Sequence, residues 1–463
     1  MNPTLHKNAV KWLSITTFLL MGMPKMNLKV GPIPFYAIDI CILLTFLAAR
    51  RLRPLPYATP NKAIVKFILF FIVLSELYAG LLMGALFKPI YVIIRMLLAG
   101  SLFFSVFRII RSREDLISVV KAGLLGSFIT ATLLITSSLP FTRSLVSNTI
   151  LALSILNPAS EAVSENYSTA VGAVRGTSLI GVSILSGAFL NTIWPFLLLL
   201  ANQKSNISNN WKNALRLSGV LIPFAIVMTY SRGAVLALFV VFFGVLLFYK
   251  GQAKTLMIGV VGISIIVFST VGWNSEYFFM SRLVNRTKIA LENPYEDNRE
   301  TERLFAYTEP WEHLGENPIF AIVGQGFAKS KVTGHDLHAG ANAATHAVFA
   351  AAYYAYGMLT SLALVFLVIR MLLYTWGNVR KFPQKYGFTY YYSRAAFASL
   401  LGFIPWFMLG HAAVSQPRGA MLMFFMYGLV ATQHNMIFKD WQQQQSSILV
   451  NYSGNLSTQT TSN

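Results

Sequence analysis

Three Arg-Gly pairs stand where the sequence predicts the start of a helix: Arg175-Gly176, Arg232-Gly233 and Arg418-Gly419. A helix start offers N–H groups without intrahelical partners and the positive end of the helix dipole. Glycine permits close approach and arginine adds a forked set of donors, so each pair suits phosphate oxygens, here those of a lipid-linked phosphate. The alternative for each arginine taken alone is a side chain that only reaches lipid headgroups.

Two further arginines, Arg299 and Arg303, are one helical turn apart. Asp297 and Glu300 predict a helix start, because the first can accept from free N–H groups and the second can reach back in a capping box. The two arginines would then share one face and could bind one polyanion together. Glutamates beside them leave open the alternative of a solvated, ion-paired helix.

Three charged residues fall inside apolar segments at similar predicted depth: Asp39, Glu76 and Arg95. Charges within a membrane are costly and are usually paired. We expect a structural clasp in which Glu76 pairs with Arg95 and Asp39 lies nearby. A proton relay is the alternative, but the sequence offers no second cluster to continue it.

The elements that carry these residues are membrane helices. Hydrophobic residues make up 55% of the 463, charged residues only 12%, and the mean hydropathy is +0.56, which excludes an ordinary soluble domain. A bilayer-spanning helix needs about 20 mostly apolar residues. Such stretches predict an all-α polytopic membrane protein of about twelve transmembrane helices, near 9–24, 33–49, 65–84, 89–107, 117–139, 178–201, 213–230, 233–249, 254–272, 346–369, 395–413 and 419–437.

The distribution of basic residues predicts the orientation. Lys and Arg accumulate in cytoplasmic loops, and the clusters fit this rule when the amino terminus is inside, as in 50–66, 108–121, 204–216, 250–254 and 370–394. Both termini are then cytoplasmic. The net charge of +20 is explained by topology and by anionic membrane lipids, and no nucleic-acid-binding motif accompanies it. The three Arg-Gly pairs fall on the outer face.

Within the transmembrane domain, residues 1–440, one long loop at 273–345 is predicted to cap the bundle outside. It carries 10 of the 17 acidic residues, so it is a polar, structured insertion rather than a connector. A second outer region is expected at 140–177, and the polar tail 441–463 is expected to be disordered. The single cysteine, Cys41, excludes an intramolecular disulfide and a thiol-based zinc site.

The motifs together resemble the O-antigen ligase and O-antigen polymerase family. The segment from Pro318 through Gly324-Gln325-Gly326, followed by His346 at the start of a helix that continues through Tyr356-Gly357, is similar to that family's signature. Ser231-Arg232-Gly233 resembles its Ser-Arg-Gly motif, and Arg175-Gly176-Thr177 resembles an earlier element. The resemblance covers roughly 170–437. Ala347 departs from the asparagine that usually follows the histidine, and 178–183 lacks the Asn-Pro-Asn that often follows the first arginine.

The resemblance implies a glycosyltransferase on the periplasmic face of the bacterial inner membrane. It would move a glycan from an undecaprenyl diphosphate carrier to an acceptor hydroxyl, without nucleotide sugar, metal or other cofactor. His346 would be the general base, because an imidazole titrates near neutral pH. Arg175, Arg232 and Arg303, with Arg299 and Arg418 as further diphosphate-binding candidates, would stabilise the charge that grows on the diphosphate.

Several alternatives stay open. The acceptor is lipid A-core for a ligase, which we favour, and a second carrier-linked glycan for a polymerase of O-antigen or exopolysaccharide repeat units. A transporter of small solutes or lipid-linked glycans is a further alternative, but no inverted repeat of whole helices is evident. His335, His338 and Asp336 could bind a metal, although their spacing supplies no third well-placed ligand on a rigid element.

Overall fold

The computed structural model describes residues 3–24, 27–30, 33–138, 142, 178, 180, 183–201, 209–229, 231–248, 318–326, 348–382, 387–409 and 417–438. Their helices are α1 Pro3–Gly22, α2 Ala37–Arg51, α3 Lys62–Met83, α4 Phe87–Ile109, α5 Arg113–Ser138, α6 Ser183–Ala201, α7 Asn209–Val227, α8 Arg232–Phe248, α9 Pro318–Val323, α10 Val348–Lys381, α11 Phe388–Leu409 and α12 Pro417–Ala431. Two short antiparallel strands, β1 Asn27–Val30 and β2 Ile33–Tyr36, lie between α1 and α2.

The described part of the chain is nearly all helical, as expected. Eleven of the twelve predicted spans overlap one of these helices, and the twelfth, 254–272, lies outside the described residues. Four helices are long and apolar enough to cross a membrane by length and composition: Lys62–Met83, Phe87–Ile109, Arg113–Ser138 and Ala351–Lys381. Membrane crossing by the other predicted spans stays a prediction. Most of the 273–345 loop, the 140–177 region and the tail also lie outside the described residues.

The β hairpin is a difference from the all-α prediction. The predicted second span began at residue 33, but the helix begins at Ala37, because Pro32 and Pro34 disfavour helical geometry in the residue before each of them. Strand β2 instead pairs with β1, with Lys29 opposite Pro34. The hairpin brings Tyr36 to the start of α2.

Helix α5 begins with a reciprocal cap that is readable in the sequence Ser112-Arg113-Glu114-Asp115. The Ser112 hydroxyl accepts from the Asp115 N–H at 3.2 Å, and the Asp115 carboxylate accepts from the Ser112 N–H at 2.8 Å. This capping box satisfies two N–H groups that the helix itself cannot. The same carboxylate lies 3.0 Å from His6 Nε2, which ties the start of α1 to the start of α5.

Helix α12 lies at the centre of the described bundle. Every residue from Gly419 to Ala431 is buried, and the helix is apolar on all sides, as a helix surrounded by others must be. It packs mainly against α4, where a Cβ atom on Gly428 would lie 3.2 Å from the Phe103 carbonyl oxygen. Small residues thus allow close helix packing, as is usual in membrane bundles.

Large apolar side chains on the outer surface face away from this centre. Phe70, Leu81, Phe243 and Leu373 are each more than 60% exposed, which would be costly for a protein surrounded by water. In a bilayer the same side chains contact lipid tails. This distribution supports a membrane protein, in agreement with the composition.

One end of the bundle, which we call the lower end, is where α4 and α12 finish. The Asn435 amide donates to the carbonyls of Phe107 and Ile110, and so satisfies acceptors that the end of α4 leaves free. The Tyr57 hydroxyl donates to the Asn435 side-chain oxygen at 2.9 Å. Burial raises the pKa of Tyr57, although Arg111 opposes this, so the hydroxyl stays protonated and remains a donor.

Candidate functional site

The opposite end of the bundle, the upper end, is where α6, α8 and α12 begin. In the first half of α6, the Asn191 amide donates to the Ala234 carbonyl of α8 at 2.9 Å. The Arg418 guanidinium of α12 donates through Nη1 to the carbonyl of Ile180, just before α6, at 2.7 Å. The starts of α8 and α12 are therefore both attached to the first part of α6. Two of the three Arg-Gly pairs thus lie at one end of the bundle.

The start of α8 is capped by its own sequence. The Ser231 hydroxyl accepts from the Ala234 N–H at 3.3 Å, and the Ser231 N–H donates to the Thr229 hydroxyl at 3.3 Å. In this arrangement the serine takes one of the N–H groups of the first turn, and those of Arg232 and Gly233 have no intrahelical partner. The Ser-Arg-Gly motif is therefore a capped helix start suited to an anion. The helix begins at Arg232, whose side chain is outside the described residues.

Arg418 has a contact that the sequence did not predict. Besides its hydrogen bond to Ile180, it is close enough to Arg95 and Tyr36 to interact with both electrostatically. One N–H of its fork is thus used within the protein, and the remaining donors are the ones left for a ligand. Its role as a diphosphate ligand stays a prediction.

The intramembrane charges pair differently from the expectation. Arg95 forms its ion pair with Asp39, with 2.9 Å between Nε and Oδ2, instead of with Glu76. The Arg95 guanidinium also stacks 4.2 Å from the Tyr36 ring centre and 5.8 Å from that of Tyr91. The β hairpin explains the choice, because it places Tyr36 and Asp39 together beside α4. The clasp therefore joins α2 to α4, with aromatic rings that shield the cation.

Glu76 lies at a second place, where α3 meets α9 and α10. It is fully buried, and a Cβ atom on Gly326 would lie 3.4 Å from its Oε2. It also interacts electrostatically with the buried Tyr356 of α10. The end of α3 continues through a short turn into the start of α4, which carries Arg95, so this place also belongs to the upper end.

Helix α10 is interrupted at this place. Gly357 has φ 79° and ψ 174°, which is not helical, and its conformation is available essentially to glycine alone. The carbonyls of Tyr354 and Ala355, which a continuous helix would use internally, accept instead from the N–H groups of Gln325 and Gly326 at 2.9 and 2.8 Å. Irregular backbone at membrane depth is tolerated only where such groups are satisfied by the protein. The Gly324-Gln325-Gly326 bend therefore supplies the donors for the carbonyls that the interruption leaves without helical partners.

Glycine is required on both sides of this contact. A Cβ atom on Gly324 would lie 2.6 Å from the Ala355 carbonyl oxygen, and one on Gly357 would collide with the Ile322 carbonyl. The sequence motif named these glycines, but only the structure shows that they pack against each other. A glycine within an otherwise helical apolar run was the available signal.

The remaining predicted site residues lie outside the described residues: Arg175, Arg299, Arg303 and His346, together with the metal alternative His335, Asp336 and His338. Two of them, His346 and Arg175, are close in sequence to residues that the structure describes. His346 is two residues before Val348, where α10 begins, and Arg175 is five residues before Ile180, to which Arg418 is bonded.

Comparison with known proteins finds one matching family. Residues 217–365 match the model of the O-antigen ligase family, which confirms the resemblance over that range. The match runs from the second half of α7, through the capped start of α8, to the part of α10 that follows the interruption. No curated protein matches the chain.

Proposed function

We propose that this protein transfers a glycan from an undecaprenyl diphosphate carrier to an acceptor hydroxyl at the upper end of the bundle. The observation that carries the proposal is the family match over 217–365, which contains both the Ser231-capped start of α8 and His346. The O-antigen ligase assignment favours lipid A-core as the acceptor.

The proposed reaction requires the protein to position the donor and the acceptor and to stabilise negative charge on the diphosphate. The bond between the anomeric carbon and the diphosphate oxygen breaks, and its electron pair leaves with the diphosphate. The acceptor oxygen bonds to that carbon and loses its proton to His346, which acts as general base. Because the leaving group is already activated, the reaction needs neither a nucleotide sugar nor a metal ion.

The arginines supply the electrostatic part. Charge grows on the diphosphate as the bond breaks, and fixed cations aimed at it lower the barrier in a site with little water. Arg175 is five residues before Ile180, which precedes α6, and Arg232 begins α8, which is bonded to α6. Arg303 and Arg299 would approach the diphosphate from the periplasmic loop. Helix α8 adds the N–H groups of its first turn. Because a diphosphate has two negatively charged groups, it can be bound by donors that lie on separate elements.

The test uses purified full-length protein with a defined carrier-linked glycan and a metal chelator, with and without lipid A-core. Mass spectrometry identifies the products. We expect a single glycan joined to lipid A-core, and no product when the acceptor is left out.

Two other outcomes would contradict the proposal in different ways. Lengthening of the carrier-linked glycan without lipid A-core would make the protein a polymerase and overturn the acceptor. Movement of intact carrier-linked glycan across proteoliposomes, without a new glycosidic bond, would make it a transporter and overturn the reaction itself.

A further inference from the structure

The interruption in α10 is held from the side by α3. The Ser75 hydroxyl donates to the Val323 carbonyl at the end of α9, and Ala79 lies against Gly326. Between them, one turn of α3 presents the carboxylate of Glu76 to the same bend. Helix α3 thus contacts the Gly324-Gln325-Gly326 bend from one side while α10 contacts it from the other.

Burial of a carboxylate at this position is energetically unfavourable. Glu76 has no exposed surface, and taking a charged or strongly polar group out of water is costly unless its surroundings compensate. An apolar residue would fill the same space between helices at lower cost. The Asp39–Arg95 ion pair already joins neighbouring helices nearby, so Glu76 is not needed for that clasp.

The surroundings of Glu76 belong to the elements that carry the proposed chemistry. Its carboxylate lies beside Gly326, whose N–H is bonded to the Ala355 carbonyl, and it interacts with Tyr356 in the last turn before the interruption. The short helical segment from Val348 to Tyr356 is therefore fixed at its far end by this contact. His346 is attached to its near end, two residues before Val348.

We propose that Glu76, supported by Ser75, is a positioning residue that fixes the first segment of α10 and thereby the placement of His346. The inference rests on the proposed function, because it assigns Glu76 to the same reaction. Glu76 acts through the bend and the interruption and does not touch the substrate.

The test compares Glu76→Gln, which keeps the size of the side chain, with Glu114→Gln, a matched change at an exposed position of α5 at the lower end. We expect Glu76→Gln to lower kcat for glycan transfer by about tenfold or more with KM within about twofold, because misplacement of a catalytic group affects the chemical step. The control should keep both constants. Unchanged kcat in Glu76→Gln would overturn the inference, as would a lower melting temperature with unchanged kcat per folded molecule.

Hydrogen exchange provides a readout that is independent of activity. The amides of Gln325 and Gly326 are bonded to α10, so they should be protected in the wild type and exchange about tenfold faster in Glu76→Gln. Unchanged protection would contradict the positioning contact. If the wild type transfers no glycan, the proposed function fails, and loss of protection in the variant still supports the contact.

A second variant, Ser75→Ala, tests the same contact if Glu76→Gln does not fold. It removes the hydrogen bond from α3 to the Val323 carbonyl, and a smaller loss of kcat, about threefold, is expected with unchanged KM. Wild-type kcat in a folded Ser75→Ala protein, together with wild-type exchange at the bend, would overturn the inference.

Discussion

Arg232 and Arg418 stand in the same Arg-Gly context, yet their surroundings assign them different tasks. Arg418 bonds to the Ile180 carbonyl and so holds the segment that precedes α6. Arg232 follows the Ser231 cap at the start of α8, where N–H groups of the first turn are available to an anion. We therefore propose that Arg418 makes a mainly structural contact and that Arg232 mainly binds the ligand.

Substitution of these two arginines should separate stability from activity. Arg418→Ala leaves the buried Ile180 carbonyl without its donor, which costs about 1–3 kcal/mol and should lower the melting temperature in detergent. Arg232→Lys keeps the charge but loses the fork, so we expect transfer to fall by about tenfold or more at an unchanged melting temperature. The reverse pattern, a destabilised Arg232→Lys with full activity, would contradict this division.

His346 carries the proton transfer in our account. Replacing it with alanine removes the proposed base, so transfer should fall by about 100-fold or more while expression and insertion stay normal. Activity is measured as product formed per folded molecule, with folding checked by size-exclusion chromatography. Wild-type transfer by His346→Ala would exclude this residue as the base.

The Gly324-Gln325-Gly326 bend and the interruption at Gly357 contact each other directly, and we propose that the site depends on both. Gly357 has a positive φ that other residues adopt at a cost of about 1–3 kcal/mol, and a Cβ atom there would meet the Ile322 carbonyl. We therefore expect Gly357→Ala to lower both the melting temperature and transfer.

Gly377 offers a matched control in the same helix. A Cβ atom there would meet nothing within 4 Å, and alanine favours a helix over glycine by about 1 kcal/mol. Gly377→Ala should leave transfer unchanged and the melting temperature equal or slightly higher. Equal behaviour of the two variants in thermal unfolding would show that the interruption is not needed.

The sequence predicted most of the described helices, but it predicted neither the β hairpin nor which elements contact each other. Apolar length located most of the described helices, and the Arg-Gly pairs at Arg232 and Arg418 marked the starts of α8 and α12. The partner of Arg95 was predicted wrongly, because Asp39 and Glu76 look alike in an apolar run and only the packing of the helices distinguishes them. The interruption of α10 was also missed, since its carbonyls are satisfied by a bend that is 29 residues earlier in the chain.

The proposed reaction requires that the upper end of the molecule face the periplasm. The basic residues predict this orientation, and it can be measured with single cysteines after replacement of Cys41. Ala85 and Ala58 form a matched pair, both exposed, in turns at the upper and lower ends respectively.

A membrane-impermeant maleimide added to cells with a permeable outer membrane should label Ala85→Cys directly. It should label Ala58→Cys only after the inner membrane is opened. The opposite labelling would place the proposed site on the cytoplasmic face, where a periplasmic glycan transferase could not act.

The proposed transfer breaks the bond between the glycan and the lipid diphosphate, so the released carrier itself reports on the reaction. In proteoliposomes that contain the protein, carrier-linked glycan and lipid A-core, with a metal chelator present, the released undecaprenyl diphosphate can be quantified beside the glycan joined to lipid A-core. We predict one carrier diphosphate released for each glycan transferred, and neither product with His346→Ala. Glycan that stays on an intact carrier in the presence of folded wild-type protein would contradict the account.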